Sequence, residues 1–527
     1  MKRKSIWTNL LIFVAILVFL NLVSISVFSR FDLSQGRIYS LSRASKNTAR
    51  HIEDRLVIKA YFSKNLPGEY ADARRYTQDL LAEYQAYSHG KLRYEFIDPS
   101  DEETLKQEAL KNQINPVQMR VIENDKLEIR EVYMGLAFLY QDKTEAIPLV
   151  QNTRGLEYDI TRIIKKITAQ GMKKVAFFQL EPVDDQPLYS GQTGNGDVHR
   201  NVRQLLAESY ELTVVDLQDP IEPSVSVLFF SGIDDSLSQT QLFHLDQYIM
   251  AGGRVIMFQD RIQAMIQTQT AEPIKSNLFD MLMHYGIVIK QNLVKDAQCG
   301  QVQIQRQQGI FRFATPVNYP FFPIINNVNK DNLIVRNLDQ IQLIFASEID
   351  TLRLKPDLKF EPLLFTSANT GETRFPNLDI TVTQFMNQDL TKMLRDEPRI
   401  VAGIYSGAVQ SYFQDNPGFP DALPGYADAR MLLVADAEFV EDVGGAGVKG
   451  NLDFVLNAVD YMAEEGTLID IRSRETEFKP LREISNTGRK LVKWLNILLP
   501  SLILISAGII RYRQDLKRRK FIGELYE

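Results

Sequence analysis

Residues 431–462 read MLLVADAEFVEDVGGAGVKGNLDFVLNAVDYM: an apolar run, an acidic turn, a glycine loop and an amphipathic helix. Leu432, Leu433 and Val434 show no polar alternation, which suits a strand buried on both faces of a parallel sheet. Asp436 and Glu438 stand where that strand ends. In open α/β sheets the carboxyl edge is where ligands bind, so two carboxylates there raise the question of a functional site.

The same grammar extends upstream. "KKVAFFQLE" (173–181), "ELTVVDL" (211–217), "VSVLFFSG" (225–232) and "RVIMFQD" (254–260) are short apolar strands, separated by helical stretches at 198–209 and 238–251. Strands alternating with helices predict a doubly wound parallel sheet. Gly252 and Gly253 are expected to end the second helix as left-handed residues. Residues from about 291 to 370 break the pattern with Pro, Asn and short β-like runs, and read as an insertion. "RIVAGIYSG" (399–407) and "RMLLVAD" (430–436) return to the sheet, and 452–463 is its last helix.

The first part of the chain has a different order. "RLVIKAYFS" (55–63) is a strand, 72–87 a helix, "KLRYEFIDP" (91–99) a strand and 101–112 a helix. Pro116 then leads into "VQMRVI", "EVYMGLAFLYQDKTEAIPLV" (131–150) is a hairpin, and 154–168 closes the unit as a helix. This is the order of a thioredoxin-like domain, with Pro116 placed before the third strand. The loop after the first strand, "SKNLPGEY" (63–70), has no cysteine, so thiol chemistry is not expected of it.

At 527 residues, with 45% of them hydrophobic, the chain can bury more than one core. Two apolar runs flank the rest. Ile6 to Phe28 is long enough to span a bilayer, and Trp494 to Ile510 is shorter, with Pro500 inside it. Lys2, Arg3 and Lys4 precede the first run, and "RYRQDLKRRK" (511–520) follows the second. Basic outer flanks place both termini in the cytoplasm and everything between on the far side of the membrane. The alternatives are a cleaved signal peptide for the first run, with Ser24, Ser26 and Ser29 as small residues, and a buried core helix for the second. Because both flanks are basic, the intervening part is more acidic than the whole-chain net charge of −6, which argues against nucleic acid as a partner.

Chemistry-bearing motifs are few. Cys299, in "KDAQCGQ", is the only cysteine, so no internal disulfide exists. His51, His89, His199, His244 and His284 never fall at metal-ligand spacing, and neither a metal nor another cofactor is expected. "GQTGNGDVHR" (191–200) precedes a helix but lacks the Lys-Ser/Thr of a nucleotide loop and the dinucleotide spacing.

Three stretches taken together carry a family resemblance: "FDLSQGRIYSLS" (31–42), "TRGLEYDITRIIKKIT" (153–168), and "VADAEFV" (434–440) with "GNLDFVLNAVDYMAEEGTLIDIR" (450–472). Their order resembles the GldG-like auxiliary proteins of ABC transporters, whose ectodomain is related to the GIFT domain of intraflagellar transport and to class I glutamine amidotransferases. The family's turn reads Gly-Asp-Ser-Asp-Phe, then Gly-Asn-x-Asp-Phe. Here Ala435, Asp436, Ala437, Glu438 and Phe439 hold the first set, and Gly450, Asn451, Leu452, Asp453 and Phe454 the second. Ala437 replaces the family's serine, which removes a hydroxyl from the turn.

The resemblance implies this division: a cytoplasmic tip and transmembrane helix (1–29), a thioredoxin-like periplasmic domain (30–170), a GIFT/amidotransferase-like α/β domain (171–470) with its insertion, a linker (471–493), and a second transmembrane helix with a basic tail (494–527). It implies a non-catalytic subunit in a bacterial inner membrane, partnered by a permease and through it a cytoplasmic ATPase. The alternatives are a degenerate amidotransferase-like hydrolase acting on an envelope substrate and an envelope scaffold without cargo. An amidotransferase needs a nucleophilic cysteine and a histidine partner, and neither "FFSGIDD" (229–235) nor "VADAEFV" supplies them. Asp436 and Glu438 are therefore expected to shape the turn, with Asn451 as N-cap of the following helix. If the edge binds a ligand, its cleft is expected at Ser231, Asp260, Asp436 and Glu438.

Overall fold

The computed structural model describes residues 40–463 except 65, 67, 101, 124–125, 151–152, 154, 169–171, 180–183, 188–195, 309–310, 337 and 339, together with 493, 505–506, 508–514 and 516. Residues 1–476 form one compact unit and 477–527 a second. Among the described residues no helix is long and apolar enough to cross a membrane. The expected spans lie outside them, apart from 505–506 and 508–510, which are helical; so do residues 471–492 of the linker, residues 31–39 of the first family stretch and half of the 191–200 loop.

The first sheet is built from β1 (Leu56–Phe62), β2 (Leu92–Ile97), and later strands reached through α1 (Arg43–Arg50), α2 (Gly68–Tyr87) and α3 (Glu103–Lys111). β3 (Val117–Glu123) and β4 (Lys126–Val132) pair only with each other. β5 (Met134–Tyr140) and β6 (Lys143–Ile147) complete a sheet of order β2-β1-β5-β6, parallel between β1 and β2 and antiparallel elsewhere. Pro116 therefore precedes a separate hairpin, and the third strand of the sheet is β5. Leu56, Ile58, Ala60 and Phe62 of β1 face α1, α2 and α4 (Leu156–Thr168), while Tyr61 faces α3. In α4, Ile160, Ile163, Ile164 and Ile167 form one buried stripe at helical spacing.

The second sheet begins with β7 (Lys174–Phe178), α5 (Arg200–Ala207), β8 (Glu211–Val215), β9 (Val225–Ser231), α6 (Gln239–Met250), β10 (Arg254–Phe258) and α7 (Leu278–Tyr285). The chain then forms a long hairpin of β11 (Cys299–Gln308) and β12 (Phe311–Ile325) outside this sheet, and returns through β13 (Asn327–Val328), β14 (Leu358–Phe365), β15 (Ile400–Gln410), β16 (Gly425–Val434) and α8 (Lys449–Met462). The strand order is β8-β7-β9-β10-β16-β15-β14-β13. The first five strands are mutually parallel and the last three antiparallel to their neighbours.

Apolar residues on both faces of the parallel strands explain the two helical layers. Phe177, Phe229, Phe258 and Val434 pack against α5 and α8, while Ala176, Phe230, Met257 and Leu433 pack against α6 and α7. Ser238 and Gln241 form a reciprocal capping box at the start of α6. At its other end only Gly252 is left-handed, at φ +90; Gly253 is needed because a Cβ there would lie 2.4 Å from the Tyr248 ring. The β-rich residues share a separate core that includes Ile262, Leu293, Tyr319, Phe321, Phe345, Ile380 and Leu394. Two strands from within 291–370, β13 and β14, belong instead to the main sheet.

Candidate functional site at the carboxyl edge

Register builds this edge. Phe258 lies beside Val434 in adjacent parallel strands, so the residues that follow, up to Asp260 and Asp436, leave the sheet side by side. β9 ends next to β10 and delivers Ser231. The turn after β16 packs back onto these ends: Ala437 N–H donates to Asp260 Oδ1 at 2.8 Å, and the Ser231 hydroxyl faces the Ala437 carbonyl at 3.5 Å. The four residues expected at a cleft are thus brought together, and one oxygen each of Asp260, Asp436 and Glu438 lies within 4.8 Å of the others.

Asp436 is fully buried, and both of its oxygens are engaged by backbone. Oδ1 accepts from Phe439 N–H at 2.9 Å, closing its own turn, and Oδ2 accepts from Ile344 N–H at 2.6 Å, tying that turn to the β-rich segment. Asn451 is the second clip. The helix begins at Lys449 with Val448 at its N-cap, so Asn451 sits inside the first turn and does not cap it. Its Oδ1 accepts from Gln342 N–H at 3.0 Å, and its Nδ2 donates to the carbonyls of Gln342 and Phe439 at 2.8 and 3.3 Å. Gly445 allows this approach, since a Cβ there would stand 2.4 Å from Asn451 Nδ2.

The remaining motif residues complete the joint. Phe439 stacks on Phe258 at 5.4 Å and meets Phe454 edge-on at 5.3 Å, filling the space between sheet and α8. Gly450 is buried at the helix start, and Asp453 pairs with Lys449 on its outer side at 2.7 Å. Asp442 accepts from the N–H groups of Arg200 and Asn201, at 3.1 and 3.0 Å, and so satisfies the start of α5.

Burial dominates the electrostatics. It raises the carboxyls of Asp260, Asp436 and Glu438, and their mutual repulsion adds to it. Asp260 is pushed up to about 8; the N–H donors on Asp436 only partly offset its rise. After burial, the neighbouring Asp260 is the main cause of the rise at Glu438, whose Oε2 is buried without a partner among the described residues. Glu441 and Asp442 are raised as well, first by burial. Three converging carboxylates are the donor type of a hard cation, yet Asp436 and Asp260 already accept backbone N–H groups. Protonation relieves the repulsion without disturbing those bonds.

Nucleophilic chemistry finds little here. No described histidine is hydrogen-bonded to Ser231. His199, at the start of α5, has a buried Nε2 without a partner, and burial lowers its pKa to about 4. Cys299 lies on the β11 strand, and burial pushes its thiol up to about 11, away from the reactive thiolate. The edge is a joint in which acidic side chains hold backbone. Sequence reasoning placed Asp436 and Asn451 in this turn; it missed Gln342 and Ile344, which lie 109 and 92 residues away and carry no motif.

A family model described as an ABC-type uncharacterized transport system, auxiliary in kind, matches residues 173–458, more than half of the chain and all of this joint. The chain belongs to that family. It is accordingly an auxiliary component of an ABC-type transport system. A second model, described as a domain of unknown function, matches residues 35–139, within the part that holds the first sheet. An uncharacterized protein of Borreliella burgdorferi is 23% identical to this family member over 520 residues, covering 95% of this chain and 96% of the relative.

Among solved structures, the mmIFT52 N-terminal domain aligns at 12% identity and a TM-score of 0.31, covering 55% of this chain and 97% of that one. A beta-galactosidase from Rahnella sp. R3 aligns at 10% identity and a TM-score of 0.25, over 58% of this chain and 34% of that one. An exo-beta-1,4-mannosidase from Opitutaceae bacterium strain TAV5 aligns at 9% and 0.21, over 75% and 49%. These superpositions are too loose to bear on function.

Proposed function

We propose that this chain is the membrane-anchored, non-catalytic auxiliary subunit of its ABC-type transport system, of the GldG-like kind. Its two apolar runs cross a bacterial inner membrane beside a permease subunit, both termini are cytoplasmic, and residues 30–493 handle or guide cargo on the periplasmic side. A separate cytoplasmic ATPase hydrolyses ATP. The observation that carries the non-catalytic reading is the use of Asp436: its two oxygens accept one buried and one half-buried backbone N–H group, so the most prominent acid of the family turn holds two parts of the fold together. Helical residues Ile505, Ile509 and Ile510 expose apolar side chains just before Arg511 and Arg513, as a membrane-embedded helix with a basic end would.

Within this reading the first sheet is a redox-inert thioredoxin-like domain. Its order β2-β1-β5-β6 with helices on both faces suits that fold, and the chain's single cysteine lies outside it. The second sheet is the GIFT/amidotransferase-like domain with its insertion. Affinity purification of the full chain from its native membrane tests the assignment: a permease and an ATPase should co-purify, and adding the chain to the reconstituted pair should change ATP turnover. Recovery without either partner, or hydrolysis of an envelope peptide or glycan that one point substitution abolishes, would sink it.

A further inference from the structure

We propose that the outer face of α1 docks on the anionic phosphate headgroups of the leaflet it faces; this rests on the membrane-anchored reading above. The sequence of α1, RASKNTAR, contains three cations and no acid. Arg43, Asn47 and Arg50 are exposed at i, i+4 and i+7, one stripe of the helix, and Lys46 lies beside it. Among the described residues none of the three cations has an ion-pair partner, whereas the whole chain carries a net charge of −6. A basic helix face standing on an acidic protein is complementary to anionic lipid.

The face cannot turn inward, because its opposite side is locked. Ala44, Ser45 and Ala49 are buried. Leu41 N–H donates to Glu83 at 2.8 Å, and Ser42 N–H and the Ser45 hydroxyl both donate to Glu157, at 2.7 and 2.5 Å. The two nearest buried carboxylates are therefore engaged beneath the helix. Lys46 Nζ and the Arg50 guanidinium carbon lie over the Tyr87 ring, at 4.9 and 5.5 Å from its centroid, a contact that gathers both charges at one place on the helix surface. Of the acids that follow the helix, Asp54 is turned to Arg55 N–H and Gln141, and Glu53 is exposed.

Chain length adds the geometric condition. The first apolar run ends at Phe28 and α1 begins at Arg43 behind its Ser42 cap. A linker of that length, fully extended, reaches at most about 50 Å, so α1 lies within that distance of the bilayer and a folded-back linker brings it to the headgroups. Arginine forks suit phosphate oxygens, and two of the three cations are arginines.

The test uses the full chain in lipid nanodiscs, with Cys299→Ser and a nitroxide attached through Asn47→Cys. Collision of the nitroxide with a water-soluble nickel complex is compared between phosphatidylcholine discs and discs containing phosphatidylglycerol. Docking predicts a severalfold loss of nickel accessibility in the anionic discs, reversed by salt and abolished by combined Arg43→Gln, Lys46→Gln and Arg50→Gln with the melting temperature unchanged. Equal accessibility in both discs, with the chain inserted, overturns the headgroup contact and leaves the anchoring standing. Failure of the chain to enter discs at all overturns both.

Discussion

Replacing Asp436 by alanine separates a structural joint from a ligand site. The sequence alone suggests the loss of one turn bond, about 1–2 kcal/mol. Tertiary structure doubles the consequence, because Phe439 N–H, buried, and Ile344 N–H, half-buried, both lose their acceptor. Each orphaned donor costs about 1–3 kcal/mol, and relief of repulsion among the acids returns part of that, leaving a net loss of about 2–4 kcal/mol. Hydrogen-exchange mass spectrometry on the full chain gives a local readout: peptides covering 341–347 and 436–442 should exchange faster, together, and global melting should fall. Asp436→Asn keeps one acceptor and should lie between. An Asp436→Ala protein with unchanged exchange and melting, correctly assembled yet inactive in transport, would refute the reasoning and make Asp436 a ligand-binding group.

Three further outcomes follow from the same structure. Asp260 has its pKa raised from 3.8 to about 8, first by burial and then by Asp436; a raised acid contributes stability that is complete below about pH 3.8 and is lost as pH climbs through 8. The difference in melting temperature between the parent and Asp260→Asn should therefore shift against the parent from pH 4 to pH 8, and a flat difference would contradict the burial of that carboxyl. Asn451→Ala removes three hydrogen bonds to Gln342 and Phe439 and should cost about 2–3 kcal/mol, read by denaturant unfolding; a loss no larger than about 0.5 kcal/mol would show that the clip is idle. Reporter fusions at residues 2 and 527 should both report cytoplasm, and a periplasmic C-terminus would contradict the two-span topology.

Much of the local structure was legible because its causes are local. The unalternated run Leu432–Val434 could only be a strand covered on both faces, and it is, with Leu433 against one helical layer and Val434 against the other. The helical stretch at 238–251 was legible, and so was its end at Gly252. Propensity, capping and periodicity act within a few residues, and a sequence displays them directly.

What the fold alone decided are the partners. Asn451 had the look of an N-cap, yet its amide is turned across to Gln342; Asp436 reaches Ile344; and the hairpin of β3 and β4 left the first sheet although its residues have ordinary strand character. The proximity of Asp260, Asp436 and Glu438 depends on the pairing of Phe258 with Val434, a register between strands separated by the whole β-rich segment. Backbone N–H groups are alike at every residue except proline, so no sequence pattern marks which of them will need an acceptor. That need arises only when packing has buried them, and the shifted carboxyls arise from the same burial.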